Sequence, residues 1–432
     1  MIAPLTLVAV AVFAYAVISR RLASTVVTAP IFFAALGLLA APVLGIVQVA
    51  SRDELLVGLL EAALVMVLFA DSSGLDIRRW TRERSLSGRL LGIGLPLTML
   101  LGAVVAYLLF PGIAPWQAAL VGAILAPTDA ALGQAVVANP RVPAVVRNAL
   151  NVESGLNDGL ALPFVTIFLA LGKAASGMES DLNAIETLAL ALVGSTVVGL
   201  VLGVGGGWLV RTAATRGLGD GRWIPIALVA LAVAAFSVAD EMGASGFLAV
   251  WVAGLSAGTM VRGRVDDAAF HLPEQAADAL AAVGFLLLGA GLLAPVLSRA
   301  TPSIVLYAVL SLTVIRILPV AIAMVGTGFS PASVLYIGWF GPRGLASIVF
   351  LVIGLEGLRG GGVDPTPLAK AVAWTVLLSV ILHGLTAGPF AARYGRRMAS
   401  MSPDAPELQG AAEPSPSRTW AGQHRPTGTG LG

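Results

Sequence analysis

Apolar positions in this chain come in long runs, separated by short stretches where arginine, proline, glycine and acidic residues concentrate. The runs extend over about 18 to 26 residues, the length a helix needs to cross a hydrocarbon layer about 30 Å thick. Thirteen are predicted as membrane-spanning helices, near 2–18, 25–48, 55–75, 89–110, 115–138, 147–172, 185–210, 223–239, 244–261, 277–297, 303–327, 332–355 and 368–392. A helix satisfies its own backbone groups in lipid, so the pattern predicts an all-α polytopic membrane protein and not a barrel. Residues 1–400 form the transmembrane domain in this reading. Residues 401–432, rich in Pro, Ser, Gly and Thr, are predicted to be a disordered tail.

Two runs carry interruptions. The fifth breaks at Ala126-Pro127-Thr128-Asp129, the twelfth between Gly338 and Gly344, through Gly341-Pro342-Arg343-Gly344. Proline removes a helix hydrogen bond and glycine tolerates unwound backbone. The breaks lie seven runs apart, and an odd offset makes the two segments antiparallel, as inverted-topology repeats require. Ordinary proline kinks are the plainer alternative.

Composition fits the pattern: 57% of residues are hydrophobic, 12% are charged, and the mean hydropathy is +0.90. Cysteine is absent, which excludes disulfides and thiolate metal sites. The start is apolar from Ile2 and lacks a basic n-region, so it reads as the first membrane helix and not a signal peptide. Loop charge orients the bundle. With the N-terminus outside, inward loops hold seventeen basic residues, among them Arg78, Arg79, Arg82, Arg84 and Arg89, against five in the outward loops. The expectation is a multi-pass protein of the cell's inner (plasma) membrane, N-terminus outside and C-terminus cytoplasmic.

Charge at bilayer depth costs about 2.5 to 3.5 kcal/mol and points to function. Glu61, Asp71, Asp129, Glu153, Asp158, Arg316 and Arg343 stand in predicted spans. The densest group is Asn151-Val152-Glu153-Ser154-Gly155-Leu156-Asn157-Asp158 in the sixth. Ser154 and Asp158 are four apart and share a helix face; Glu153 and Asn157 share the neighbouring stripe. The first face offers hard oxygen ligands for a small alkali cation. On the second, Glu153 needs a partner that Arg316 can supply, since an unpaired buried charge is strongly destabilising. Asp129 and Arg343 sit at the breaks, where they would neutralise half-helix ends. Asp129 reads as a dipole-compensating residue ahead of a direct ligand, and Thr128 could present its hydroxyl or carbonyl to an ion. Asp71 is either a solvated helix-end acid or part of an ion entry. His383 reads as a packing or hydrogen-bonded residue.

Taken together, Phe69-Ala70-Asp71, Pro127-Thr128-Asp129, Glu153-Ser154 with Asn157-Asp158, Arg316 and Gly341-Pro342-Arg343-Gly344 resemble the bacterial NhaP-type sodium/proton antiporters and their eukaryotic sodium/proton exchanger relatives. The resemblance implies a dimerisation domain and a six-helix core, the core from about 89–172 and 303–392. It implies that Asp158 exchanges proton and cation, that Ser154, Thr128 and Asp71 help coordinate the cation, and that Glu153 pairs with Arg316. Asn157, where a second aspartate could stand, marks the branch that exchanges one proton for one cation without net charge. The chain departs from the family at Pro342, where glycine is frequent, and at Asp71, where glutamate is.

The function expected is therefore transport and not enzymatic catalysis: antiport of a monovalent cation (sodium first, with potassium or lithium as alternatives) against a proton. No cofactor is expected beyond the transported Na⁺ and H⁺. The partners expected are the two ions, the lipid bilayer and a second copy of the chain, with no nucleic acid. A sodium-coupled solute symporter would need a roomier polar cavity. A channel would need a filter that the sequence lacks.

Overall fold

The computed structural model describes residues 2–22, 25, 27–44, 54–75, 84–178, 181–293 and 300–409, and these are helical almost throughout. Arg78, Arg79 and Arg82, used above to orient the loops, lie outside the described residues, as do Arg52 and Arg299, two of the five basic residues counted in the outward loops. In chain order the helices are α1 (Ile2–Leu22), α2 (Ala29–Leu44), α3 (Glu54–Ser73), α4 (84–109), α5 (Pro115–Ile124), α6 (Ala130–Val137), α7 (Ala144–Ala175) and α8 (181–215). They continue with α9 (Trp223–Glu241), α10 (Gly246–Val261), α11 (271–293), α12 (Pro302–Leu312), α13 (Val314–Ala323), α14 (Pro331–Trp339), α15 (Leu345–Gly357) and α16 (Thr366–Met398). Among the described residues, seven helices or continuous helix pairs are long and apolar enough to cross a membrane, and shorter apolar helices accompany them.

Local chemistry sets the ends. Proline opens α5, α12 and α14, where its missing N–H costs nothing. Ser245 caps α10 and Ser330 caps α14, each hydroxyl accepting a first-turn amide. Both predicted interruptions are present: α5 and α6 are separated by 125–129, α14 and α15 by 340–344. A third was not predicted. Thr313 leaves the helical region (φ −114°, ψ −92°) and divides the eleventh run into α12 and α13. Three wide π-turns, Leu90–Gly94, Leu190–Gly194 and Leu288–Leu293, also lie within helices read as regular.

Two packing regions position the site. In one, α8, α10, α3, α11 and α2 follow one another face to face. Gly199, Gly203 and Gly207 let α8 approach the α10 backbone; a Cβ on Gly203 would stand 2.6 Å from the Ala253 carbonyl oxygen. In the other, one end of α4, α6, α7, α13, α14 and α16 shares an apolar cluster that includes Leu90, Val136, Val146, Val320, Ile337 and Ala391. Helix α7 touches both regions, packing on α3 and α10 as well as on α5 and α6.

The tail differs from the prediction. Residues 401–409 are folded back onto the helices, with a 3₁₀ turn at Pro406–Leu408. Met401 packs on the apolar cluster, and Glu407 is 1% exposed. Composition suggested disorder, but a few specific contacts fix this segment. Residues 410–432 lie outside the described residues.

Candidate functional site

The two interruptions meet. The amide of Asp129 donates to the Pro342 carbonyl at 2.7 Å, joining one break to the other through their backbones. The Asp129 carboxylate then serves two helices: Oδ1 accepts the Leu132 amide of α6 at 2.9 Å, and Oδ2 accepts the Leu345 amide of α15 at 2.8 Å. One negative charge thus faces two helix N-termini, where orphan amides and the dipole favour it. Gly344 must lack a side chain here, because a Cβ would run into the Asp129 carboxylate. On the opposite side Arg343 is fully buried, its Nη1 donating to the carbonyls of Ala126 and Pro127 beyond the C-terminus of α5. Cation and anion therefore each sit at the helix ends of opposite sign.

Helix α7 brings the other predicted residues to this crossing. Glu153 forms a bidentate pair with Arg316 of α13, Nη1 to Oε1 at 2.5 Å and Nη2 to Oε2 at 2.8 Å. Both side chains are 2% exposed. The guanidinium lies against the break itself, since a Cβ on Gly341 would stand 2.8 Å from its Cζ. On the adjoining face the Asn157 amide donates to Thr128 Oγ1 at 2.6 Å, and Thr128 Oγ1 lies 3.1 Å from Ser154 Oγ. Asp158 stands one helical turn beyond Ser154 and is buried, as are Thr128, Ser154 and Asn157. The hydroxyls of the broken span and of α7 are thus brought together one helical turn from a buried carboxylate, oxygen groups of the kind a hard cation takes.

Asp71 is buried near the end of α3 instead of standing in solvent. Its carbonyl oxygen would be 3.3 Å from a Cβ on Gly155, which places it against α7 one residue from Ser154. Gly159, the residue after Asp158, is covered by the ring of Trp251 from α10, which occupies the space a Cβ would need. Glu61, over two turns back on α3, is exposed to a greater degree than Asp71.

Two serines at the crossing escaped the sequence reading, and His383, read there as a packing or hydrogen-bonded residue, joins them. Ser347 Oγ donates to the Ile124 carbonyl at 2.7 Å, and Ser379 Oγ accepts the Arg343 amide at 2.6 Å. His383 Nδ1 lies 3.1 Å from Ser379 Oγ, and its Nε2 lies 2.8 Å from the Trp339 carbonyl at the end of α14. Nδ1 also lies 2.9 Å from the Ser379 carbonyl oxygen, so the ring bridges the backbones of α14 and α16 through both nitrogens. The only sequence signal was the four-residue spacing of Ser379 and His383, which puts both on one face of α16.

Comparison with known proteins agrees with this architecture. Residues 8–393 match the family model of the sodium/hydrogen exchanger transmembrane domain. The chain belongs to the sodium/hydrogen exchanger family, as a polytopic membrane protein. It is 27% identical over 340 residues to the K(+)/H(+) antiporter NhaP of Alkalimonas amylolytica, an alignment covering 76% of this chain and 56% of that one. It is 31% identical over 159 residues to Na(+)/H(+) antiporter 2 of Zygosaccharomyces rouxii, covering 35% of this chain and 19% of the relative. The chain thus spans about half or less of the length of these curated relatives. The fold is that of the sodium proton antiporter MjNhaP1 from Methanocaldococcus jannaschii, with a TM-score of 0.74 and 23% identity over 87% of this chain and 97% of that structure.

Proposed function

We propose that this chain is a secondary antiporter that exchanges a monovalent cation for a proton by competition at Asp158, without net charge movement. The observation that carries the reading is buried Asp158 on α7, one helical turn from Ser154, whose hydroxyl meets that of Thr128 where two broken helices are joined. Glu153 is committed to Arg316 and Asp129 to two helix N-termini, so those carboxylates hold the frame. Asp158 takes either a proton or a dehydrated cation, with Ser154, Thr128 and Asp71 supplying further oxygens. Either occupant neutralises it, and only a neutral site crosses an apolar barrier cheaply. Strict exchange follows from that rule, and the cycle needs no cofactor. Because the proton competes directly, the external cation concentration giving half-maximal exchange rises as pH falls.

In the same reading the thirteen runs cross the inner membrane with the N-terminus outside, and the breaks belong to an inverted repeat. The core of 89–172 and 303–392 moves against the remaining helices, which also pair two copies of the chain. Sodium is the first candidate ion; potassium stands beside it because the Alkalimonas relative is a K(+)/H(+) antiporter by name.

The test is proton flux in proteoliposomes holding a preset pH gradient, on adding sodium, potassium or lithium, with and without a potential clamp. A cation-dependent collapse of the gradient, insensitive to the clamp and absent in Asp158→Asn, is expected. Cation-dependent flux retained in that variant sinks the competition mechanism.

A further inference from the structure

The end of α14 away from the crossing holds a buried carboxylate that the exchange mechanism does not use. The Ser330 amide donates to Glu407 Oε1 at 2.7 Å, and the Ser333 hydroxyl donates to the same oxygen at 2.7 Å. Ser333 Oγ also lies 2.8 Å from the Tyr394 hydroxyl of α16, and the Tyr394 ring stacks on Tyr336 with centroids 4.1 Å apart and planes 13° from parallel. Ser333 is fully buried. Pro406 closes over Gly328, and the 3₁₀ turn of 406–408 rests on α7. The contacts of this segment named here fall on α7, α14 and the loop before α14.

We propose that the N-terminus of α14 is a carboxylate-binding site whose ligand is the chain's own Glu407, and that its occupancy keeps the broken crossing in working order. Helix α14 has nine residues, too few to hold its shape unaided. Its far end carries the Trp339 carbonyl taken by His383 and leads into the 340–344 break that seats Arg316 and Arg343. The Glu407 carboxylate stands at the positive end of that short helix and satisfies one of its orphan amides. Burial alone would raise the Glu407 carboxyl, but the donors from Ser330 and Ser333 outweigh it and hold it below the ordinary carboxylate range. The side chain is therefore charged at neutral pH. Its second oxygen, Oε2, is buried without a hydrogen-bond partner among the described residues. Burial of that oxygen offsets much of what Oε1 gains, which makes the contact reversible. The site is thus a latch, open to release when the tail is drawn away.

The proposal rests on the antiport reading for its effect on flux, so two readouts are needed. Glu407→Ala and a chain ending at Ser400 are compared with the full chain by amide hydrogen exchange in detergent and by flux in proteoliposomes. Amides of 329–336 are expected to exchange at least tenfold faster in both variants. A synthetic peptide of residues 401–409 is expected to restore protection in the shortened chain. Maximal flux is expected to fall severalfold while the half-saturating cation concentration stays within twofold. Unchanged exchange rates in both variants overturn the site, and lost protection with full flux overturns the coupling. A full chain showing no cation-dependent flux would count against antiport alone, since the exchange rates would still decide whether the latch is there.

Discussion

The Glu153–Arg316 pair shows how one buried charge dictates another. Two side chains, each 2% exposed, meet through two parallel hydrogen bonds inside a bundle where neither could stand alone. Removing one partner strands the other, at a cost of about 3 to 5 kcal/mol. Arg316→Ala is therefore expected to lower the thermal midpoint in detergent markedly and to abolish exchange. The double variant Glu153→Leu with Arg316→Met is expected to recover most of the midpoint without recovering exchange, because the 340–344 break has lost its guanidinium. This pair was legible in the sequence because a membrane-buried carboxylate demands a partner, and Arg316 stands deep in a predicted span. Ser379 was not legible, and His383 was legible only as a packing or hydrogen-bonded residue. Neutral hydroxyls and imidazoles are inexpensive to bury, so nothing in the sequence alone separates a structural relay from a packing residue.

At the scale of the element, the instructive feature is one aspartate ending two helices. Asp129 caps α6 through Leu132 and α15 through Leu345, and its own amide holds Pro342. Loss of a cap costs about 1 kcal/mol. Asp129→Ala removes two caps at once and is expected to destabilise by about 2 kcal/mol in a thermal-shift series, twice the single-cap cost, with Asp129→Asn intermediate. Full stability in the alanine variant would show that the caps carry no weight. The two interruptions were readable because proline and glycine, set together in an apolar run, disfavour a continuous helix. The division at Thr313 was not readable: proline follows only at Pro319, six residues further on. The π-turns were not readable either, since each lies in an apolar leucine-rich stretch with no proline to mark it.

Across the whole molecule, the helices divide by how they touch. Helices α8 and α10 approach backbone to backbone along Gly199, Gly203 and Gly207, a fixed joint in which small residues permit close contact. Gly203→Leu must force them apart; overpacking of this kind costs about 1 to 3 kcal/mol. The expected outcome is a lowered thermal midpoint with the half-saturating cation concentration unchanged, since the oxygens proposed to hold the cation stand on α3, α7 and the 125–129 break and not on α8 or α10. A changed cation dependence would show that the two regions are coupled. The class of fold was visible from hydropathy alone. Residues 401–409 were misjudged for a physical reason: composition reports the average fate of a segment, whereas Met401 and Glu407 are held by particular contacts.

The contact between Trp251 and Gly159 has an optical consequence. An indole emits at a wavelength set by the local electric field, and this one lies against the residue next to Asp158. When that carboxylate passes from anion to neutral, the field on the ring changes. With the other seven of the eight tryptophans replaced by phenylalanine, the emission maximum of Trp251 becomes an intrinsic meter of site occupancy. A titration with cation at fixed pH and one with acid at fixed cation should then trace the same spectral endpoint, and Asp158→Asn should sit there from the start.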